Sequence, residues 1–284
     1  MGAAGLIQIK RRMKSIESTR KITKAMNLVA TSKLRKTRKE FIANEDYYNV
    51  SRKILGSVIA SLPEDIENSL LKKNPKSLDK KLYIVLTSDT GFCGGFNGNV
   101  ANALSEIIED KSKAKVLLAG ARGIQYMKKL GIDTFKEYVE IPDIPTIKEV
   151  RAIYDDSLYL YKTGEVSEVH IVYTEFKSAI VQKVTVEKIL PLDIEVKEEK
   201  NIIIEQDVNE LLNSSIDSYI KSKIRRAMLS SKVSEQNSRM KAMDSSTQNA
   251  NDIIKVLAMK YNRIRQGMIT QEISEIVGGA EAQK

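Results

Sequence analysis

Proline and glycine are absent from two long stretches of this chain, and their absence constrains the fold more than any other feature. Neither residue occurs from Leu6 to Leu55 or from Leu192 to Gln266. Both stretches are rich in residues that favour helices, among them Lys, Arg, Ala, Leu, Met, Gln and Glu. All five prolines lie between the two stretches. We therefore expect a long helix at each end of the chain and one compact domain between them.

The C-terminal stretch carries an apolar seam with alternating steps of three and four residues, which is typical of a coiled coil. The seam residues are Met240, Met243, Thr247, Ala250, Ile254, Leu257, Tyr261, Ile264 and Met268. The N-terminal stretch offers a second stripe, formed by Leu6, Ile9, Met13, Ile16, Ile22, Met26, Val29 and Leu34. One helix enters the middle domain and the other leaves it, so we expect them to pair antiparallel. The C-terminal helix is the longer one, and beyond about Lys260 we expect it to project as a single helix or to pack on something else.

The middle of the chain reads as an α/β domain. Apolar, β-branched runs at Lys81–Thr87, Lys115–Gly120 and Glu168–Phe176 predict buried strands, and helical patterns lie between them at Asn97–Glu109, Arg122–Leu130 and Thr146–Tyr161. Alternation of polar and apolar residues over Ala179–Ile189 predicts an antiparallel edge strand. The predicted fold is a central Rossmann-like domain with a mostly parallel sheet, flanked by an antiparallel coiled coil. The predicted segments are residues 1–60, 61–205 and 206–284.

The net charge of +9 is concentrated near the N-terminus, where residues 1–60 hold 14 Lys and Arg against 4 Asp and Glu. Such a surplus indicates an acidic partner surface or nucleic acid. The basic clusters, Ile9–Ser15 and Lys33–Lys39, also fit a solvated coiled-coil surface. Proteins that bind nucleic acid usually add aromatic stacking groups, and residues 1–40 contain no aromatic residue. A protein partner with acidic loops is therefore favoured.

Few residues fit a catalytic or metal site. The chain has one histidine, His170, in a predicted strand, and one cysteine, Cys93, in a glycine-rich turn. They predict no catalytic triad, structural zinc site or internal disulfide. The turn Ser88–Val100 follows a strand and opens a helix, which is where α/β proteins bind phosphates. Its glycines do not form G-x-G-x-x-G, and no P-loop lysine follows, so a structural turn or a partner contact is favoured over a nucleotide site.

No apolar run reaches the roughly 20 residues that cross a bilayer, and the N-terminus lacks the apolar core of a secretory signal. We expect a cytoplasmic protein. Small and uncharged polar residues crowd Ser230–Asp252. They predict an exposed helix surface with little hydrophobic adhesion, which would suit a shaft turning in a collar or a helix that simply stays soluble.

Four segments together resemble the gamma subunits of bacterial F-type ATP synthases. They are IKRRMKSIESTRKITKAMNLVATSKLRK (9–36), SDTGFCGGFN (88–97), SRMKAMDSSTQNA (238–250) and RQGMITQEISEIVGGAEA (265–282). Phe92 stands where the family usually has Leu, and Ser246 where it commonly has Ala. The resemblance extends along the whole chain.

This resemblance implies a rotor shaft that couples ion-driven rotation of the c-ring to ATP synthesis and hydrolysis, with catalysis on the beta subunits. It implies three alpha and three beta subunits, epsilon and the c-ring as partners, a peripheral position on the cytoplasmic face of the cell membrane, and no cofactor or membrane insertion. The residues it places at partner or helix contacts are Lys24, Met26, Arg239, Gln271, Glu272 and Ser274. Two alternatives are a nucleotide-binding enzyme and a nucleic-acid-binding coiled coil.

Overall fold

The computed structural model describes residues 2–62, 70–71, 77–193 and 207–282. Its helices are α1 (Gly2–Ala60), α2 (Phe96–Ile107), α3 (Ala121–Leu130), α4 (Ile147–Lys162) and α5 (Val208–Glu281), with one 3₁₀ turn at Lys111–Lys113. Its strands are β1 (Lys81–Leu86), β2 (Ala114–Ala119), β3 (Thr134–Tyr138), β4 (Glu168–Phe176) and β5 (Gln182–Leu190). Two long terminal helices around a mostly parallel sheet confirm the predicted fold class.

The chain forms two compact units. Unit 1 combines Met1–Ala30 with Met240–Lys284, and unit 2 is Thr31–Arg239. Both long helices contribute to both units. The division into segments 1–60, 61–205 and 206–284 stays a prediction, and its boundary at 205/206 lies outside the described residues.

Unit 1 is a two-helix coil whose polar contacts establish its direction. Arg20 Nη1 donates to Asn251 Oδ1 at 3.3 Å, and Asn27 Nδ2 donates to the Met240 carbonyl at 3.0 Å. Residue numbers therefore fall along one helix as they rise along the other, which confirms the antiparallel pairing. On the α5 side, the predicted seam residues from Met243 to Met268 are buried or half-buried, and most of their neighbours are exposed.

The seam of α1 differs from the predicted stripe. Ile22 and Val29 are exposed, whereas Thr23 and Asn27 contact α5 and Ala30 is buried. The prediction was wrong at Ile22 and Val29 because it followed hydrophobicity, whereas Arg20, Thr23 and Asn27 are polar seam positions. The Thr23 and Thr247 hydroxyls lie 2.8 Å apart, so each satisfies the other inside the seam.

The paired region also extends further than expected. Because α1 begins at Gly2, burial on α5 continues to Met268 instead of ending near Lys260. From Ile269 to Ala282 every residue is exposed. The expected single-helix projection therefore exists, but it is shorter than predicted.

In unit 2 the strand order is β3-β2-β1-β4-β5. β1 pairs in parallel with β2 and β4, β2 pairs in parallel with β3, and β5 runs antiparallel to β4. This is the order of a Rossmann-like half with an added antiparallel edge. The sequence does not predict β3, because this five-residue edge strand has no buried residue and therefore no apolar run.

Helices cover both faces of the sheet. Residues of α2 and α3, among them Val100, Leu104 and Met127, form a core with Tyr83 and Val85 on one face. On the other face, α4 and parts of α1 and α5 pack on strand residues that include Leu82, Ile84 and Ile171. The near-continuous apolar strands follow from this two-sided burial.

Candidate functional site

The predicted contact residues of α1, Lys24 and Met26, lie on the outside of unit 1. Lys24 is exposed, and Met26 is half-buried at the edge of the seam. Both side chains are available to another molecule. Their role as partner contacts stays a prediction.

Apolar side chains are exposed on α1 near these two residues and, further along the coil, on α5. They are Ile22, Leu28 and Val29 on α1 and Ile253, Val256 and Met259 on α5. The expectation of a surface with little hydrophobic adhesion concerned Ser230–Asp252, and these six side chains lie outside that segment. Apolar side chains grouped in this way are typical of a surface that another protein covers.

The predicted contact residues of the C-terminal region lie on the unpaired end of α5. Gln271, Glu272 and Ser274 are all exposed. Gln271 Nε2 donates to Glu275 Oε1 at 2.9 Å, and Ser274 Oγ donates to the Thr270 carbonyl. Exposed Ile269, Ile273, Ile276 and Val277 share one face of this helix, at spacings of three and four residues. The unpaired end is thus amphipathic and offers an apolar stripe.

The polar segment of α5 behaves differently in its two halves. Nine of the ten side chains from Ser230 to Arg239 are buried in unit 2, although most of them are polar. The prediction that this half forms an exposed surface is wrong. From Lys241 onward the predicted pattern holds, since Lys241, Asp244 and Gln248 are exposed.

Arg239 is the centre of a buried polar cluster. Its side chain donates to the Gly91 carbonyl at 3.1 Å and to the carbonyl and hydroxyl oxygens of Thr90 at 3.0 and 2.8 Å. It also pairs with Glu235 at 2.8 Å. With 7% of its surface exposed, it connects α5 to the loop after β1. A partner-facing role for Arg239 stays a prediction, beside this role inside the chain.

Asp89 organises the turn that follows β1. Its carboxylate accepts hydrogen bonds from the backbone N–H groups of Ala121, Glu140 and Ile141 at 3.0, 3.0 and 3.1 Å. Ala121 lies at the start of α3, whereas the Ser88–Val100 turn opens α2. Within that turn, the Asp89 carboxylate would repel a phosphate, and Asn97 Oδ1 accepts a hydrogen bond from the Ser88 N–H at 2.9 Å. These two features favour the structural interpretation of the Ser88–Val100 turn over a nucleotide site.

Cys93 and His170 both have structural surroundings. Cys93 is buried, and its sulfur accepts a hydrogen bond from Asn97 Nδ2 at 3.4 Å. The His170 ring stacks on Tyr83, and its Nε2 lies 2.9 Å from Glu168 Oε2. Burial opposes ionisation of Glu168, but the hydrogen bond with His170 and the charges of Lys81 and Lys188 lower its pKa below the ordinary value. Neither residue is paired with the groups that nucleophilic catalysis requires.

The basic clusters of α1 remain largely solvated. Lys10, Arg11 and Arg12 are exposed. In the second cluster, Lys33 pairs with Asp143 at 2.9 Å, and the Arg38 guanidinium lies 6.0 Å from the centre of the Phe176 ring. Part of the positive charge of the second cluster is therefore engaged in contacts within the chain.

Within the ranges that the structure describes, no three His, Cys, Asp or Glu side chains come together as a metal site. The helices in those ranges also include none with the length and hydropathy of a membrane span.

Comparison with known proteins gives one consistent family. The family model described as ATP synthase matches residues 5–283. The ATP synthase gamma chain of Clostridium botulinum (strain Eklund 17B / Type B) is 50% identical over 285 residues, covering 100% of both chains. That of Clostridium beijerinckii is 47% identical over 284 residues, again covering 100% of both.

Solved structures agree on the fold. A chain of the Euglena gracilis mitochondrial ATP synthase, in a structure of OSCP, F1 and the c-ring, has a TM-score of 0.73 at 16% identity, covering 99% of this chain and 95% of its own. A chain from the central stalk and c-ring structure of Tetrahymena thermophila mitochondrial ATP synthase has a TM-score of 0.61 at 23% identity, covering 79% and 98%.

Proposed function

This chain belongs to the family of ATP synthase gamma chains, and from that membership we propose that its part in the complex is mechanical and not catalytic. It is the central rotor shaft, which couples ion-driven rotation of the c-ring to ATP synthesis and hydrolysis. Catalysis takes place on the beta subunits. The chain itself supplies no catalytic residue.

The observation that carries the proposal is the surface of unit 1. A two-helix coil with exposed Ile22, Leu28, Val29, Val256 and Met259 leaves apolar surface that water does not favour. The unpaired end of α5 adds the stripe from Ile269 to Val277. Both features fit a coil that other subunits surround.

Rotation requires that the coil offer different side chains in different directions. Lys24 and Met26 lie on α1, whereas Val256 and Met259 belong to α5, so the outer surface has no rotational symmetry. Each surrounding subunit therefore meets a different surface at any one angle. A subunit that binds one of these surfaces better in one nucleotide state changes its affinity for nucleotide as the coil turns. The reason is that binding of the coil and binding of the nucleotide to the same subunit are linked.

We assign the partners from the family. They are three alpha and three beta subunits around the coil, with epsilon and the c-ring on the side of the α/β domain. The chain then lies at the cytoplasmic face of the bacterial cell membrane as a peripheral protein, without entering the bilayer and without nucleic acid. Lys24 pairs with a carboxylate of an acidic beta loop, and Met26 packs there without requiring one orientation. The C-terminal contact residues, which are Arg239, Gln271, Glu272 and Ser274, face the ring or brace the two helices.

Co-purification tests the proposal directly. A tagged copy of the chain is expressed in its native cells, membranes are solubilised gently, and subunit stoichiometry and ATPase activity are measured. We expect one copy with three alpha, three beta and epsilon, and ATPase activity that depends on beta. Recovery of the chain alone, or with nucleic acid in place of these subunits, would contradict the proposal.

A further inference from the structure

A groove in unit 2, distant in sequence from the proposed ring contacts, has the features of a binding site. It lies between α1, the start of α4 and α5, and has a volume of about 580 Å³. Its walls include Asn44 and Tyr47 of α1, Pro145 and Ile147 beside the start of α4, and Lys221 and Arg225 of α5. It combines apolar surface with cationic side chains.

The unusual group in this groove is the side-chain amide of Asn44. The residue is 2% exposed, and its Nδ2 has no hydrogen-bond partner in the described part of the chain. Its Oδ1 accepts a hydrogen bond from Arg225 Nη1 at 3.0 Å. Exchanging the two amide atoms would turn the NH₂ group toward the guanidinium, so the assignment is determined by the contact. A buried donor without an acceptor is rare in folded proteins and needs an explanation, and the place of Asn44 in the groove wall allows a bound oxygen to supply it.

Arg225 adds positive charge beside that donor. It also donates to the Pro145 carbonyl at 3.3 Å, so both of its hydrogen-bond acceptors are neutral oxygens. Its one ion pair in the described ranges, with Glu40, is long at 3.9 Å. The neighbouring Lys221 is already bonded to Asp217 at 2.5 Å. An additional carboxylate at this position would satisfy Asn44 and meet the incompletely neutralised Arg225.

The apolar surface around the groove extends beyond the groove itself, along α1 and α4. Tyr47, Val50 and Ile54 form an exposed stripe on α1 at spacings of three and four residues, and Tyr47 is 56% exposed. Ile147 is 60% exposed and also lines a second groove, with Lys148 and Arg151. Apolar and basic surface therefore continues from α1 to α4.

We propose that this groove binds a segment of a partner polypeptide in which an Asp or Glu lies beside an apolar side chain. The carboxylate accepts from Asn44 Nδ2 and faces Arg225, and the apolar side chain packs on Ile147 and Tyr47. The inference rests on the proposed function and deepens it, because it names a groove on unit 2, where epsilon and the c-ring are assigned, and the chemistry of the segment that this groove binds.

Thiol labelling in the intact complex tests whether the groove is covered. Ile147→Cys is introduced, and its reaction with a maleimide is compared between the isolated chain and the purified complex. Cys93 is buried and gives a slow background. We expect the new thiol to react at least about ten-fold more slowly in the complex, because an interface core excludes solvent. Tyr159→Cys, on an exposed position near the other end of α4, is the matched control and is expected to slow less.

Asn44→Asp tests the carboxylate. The change keeps the shape of the side chain, turns the donor into an acceptor and gives Arg225 an internal carboxylate. We expect Ile147→Cys in the complex to regain at least about half of its free-chain reactivity, because like charges repel at the site. Gln125→Glu adds the same charge on α3 and is expected to leave the protection unchanged.

Crosslinking identifies the occupant. A benzophenone amino acid replaces Tyr47, and mass spectrometry maps its adduct in the complex. An adduct on a partner segment with Asp or Glu beside an apolar residue supports the proposal. Three results would overturn the proposal. The first is an adduct on a second copy of this chain, and the second is a maleimide reaction of Ile147→Cys that is as fast in the complex as in the isolated chain. The third is protection of that thiol in the complex that Asn44→Asp leaves unchanged. Recovery of the chain without other subunits contradicts the proposed function instead, so the two failures are distinguishable.

Discussion

At the scale of single residues, buried polar groups hold the parts of unit 2 together. The Asp89 carboxylate accepts hydrogen bonds from three backbone N–H groups, and the Arg239 guanidinium donates hydrogen bonds to three oxygens of the loop after β1. Each of these contacts joins segments that are far apart in sequence. Loss of one partner leaves the other buried without compensation, which costs more than the bond itself contributes.

Arg239→Met tests this cluster. The change leaves the Glu235 carboxylate buried, with Lys232 at 3.4 Å as its remaining ion-pair partner. We expect the free energy of unfolding to fall by about 3–5 kcal/mol, measured in urea. The double variant Arg239→Met, Glu235→Gln is expected to lose less than the sum of the two single changes. Arg265→Met, at an exposed position of the same helix, is the control, and a loss there as large as at Arg239 would contradict the argument.

Gly120 is required by its backbone conformation and by its neighbour. Its φ is +109°, and a Cβ there would lie 2.4 Å from the Thr87 carbonyl oxygen. Gly120→Ala should therefore lower the free energy of unfolding by about 3 kcal/mol or more. In contrast, Gly56→Ala in α1 meets open space and should raise it by about 0.5–1 kcal/mol, because glycine weakens helix interiors. Equal effects at the two glycines in urea unfolding would refute this assignment.

The carboxyl group of Asp217 should make the stability of unit 2 depend on pH in the acid range. Burial opposes its ionisation, but hydrogen bonds from Lys221 and Tyr154 outweigh burial and lower its pKa below the ordinary 3.8. A lowered carboxyl pKa stabilises the fold above the unfolded value and loses that effect as pH falls through the folded value. We expect stability to decline between about pH 5 and 3, and Tyr154→Phe to make the decline shallower. Urea midpoints across this range measure both slopes, and identical slopes would count against the role of Tyr154.

At the scale of elements, the residues on one side of α1 and one side of α5 form the seam of the coil in unit 1. The seam of α5 is largely apolar, whereas that of α1 includes Arg20, Thr23 and Asn27. Polar groups in a seam cost stability but specify register, because only one alignment pairs Thr23 with Thr247. The coil therefore combines apolar burial, to which both helices contribute, with polar pairs between the helices that specify the alignment.

Two adjacent residues of α5 separate seam from surface. Leu257 is 8% exposed and Val256 is 58% exposed. Leu257→Ala should destabilise the coil by about 2–4 kcal/mol through the lost burial and the cavity that remains. Val256→Ala should stay within about 0.5 kcal/mol in the isolated chain. Thermal melts followed by circular dichroism compare the two, and a similar loss at both positions would show that the seam is misassigned.

At the scale of the whole molecule, function depends on how the outer surface of unit 1 meets its surroundings. Met26 lies at the edge of the seam beside exposed Lys24, where the proposed beta loops approach. A second cation beside Lys24 would pair with an acidic loop and would stabilise one rotational position of the shaft too strongly.

We therefore expect Met26→Lys to leave ATP hydrolysis largely intact and to reduce ATP-driven ion pumping by about ten-fold, a loss in the range of typical coupling energies. Inverted membrane vesicles allow both activities to be measured on one preparation. Ile180→Lys adds the same charge at a position that is 86% exposed in the turn before β5, and should leave pumping unchanged. Full coupling in Met26→Lys would remove Met26 from the proposed contact.

The sequence by itself determined those features that depend on neighbouring residues. The lack of proline and glycine marked both long helices, chain order made them antiparallel, and apolar runs located β1, β2 and β4. Four motifs identified the family. The six predicted contact residues came from those motifs, and the structure locates five of them on exposed or half-exposed positions of unit 1.

Only the tertiary structure decided which polar residues are buried. Thr23 in the seam, Ser230–Arg239 inside unit 2, and Asn44 beside Arg225 all depend on segments far away in sequence. Edge strand β3 likewise became visible only through its pairing with β2. Local preference and periodicity are encoded in adjacent residues, whereas a polar side chain can be buried only if a distant segment brings it a partner.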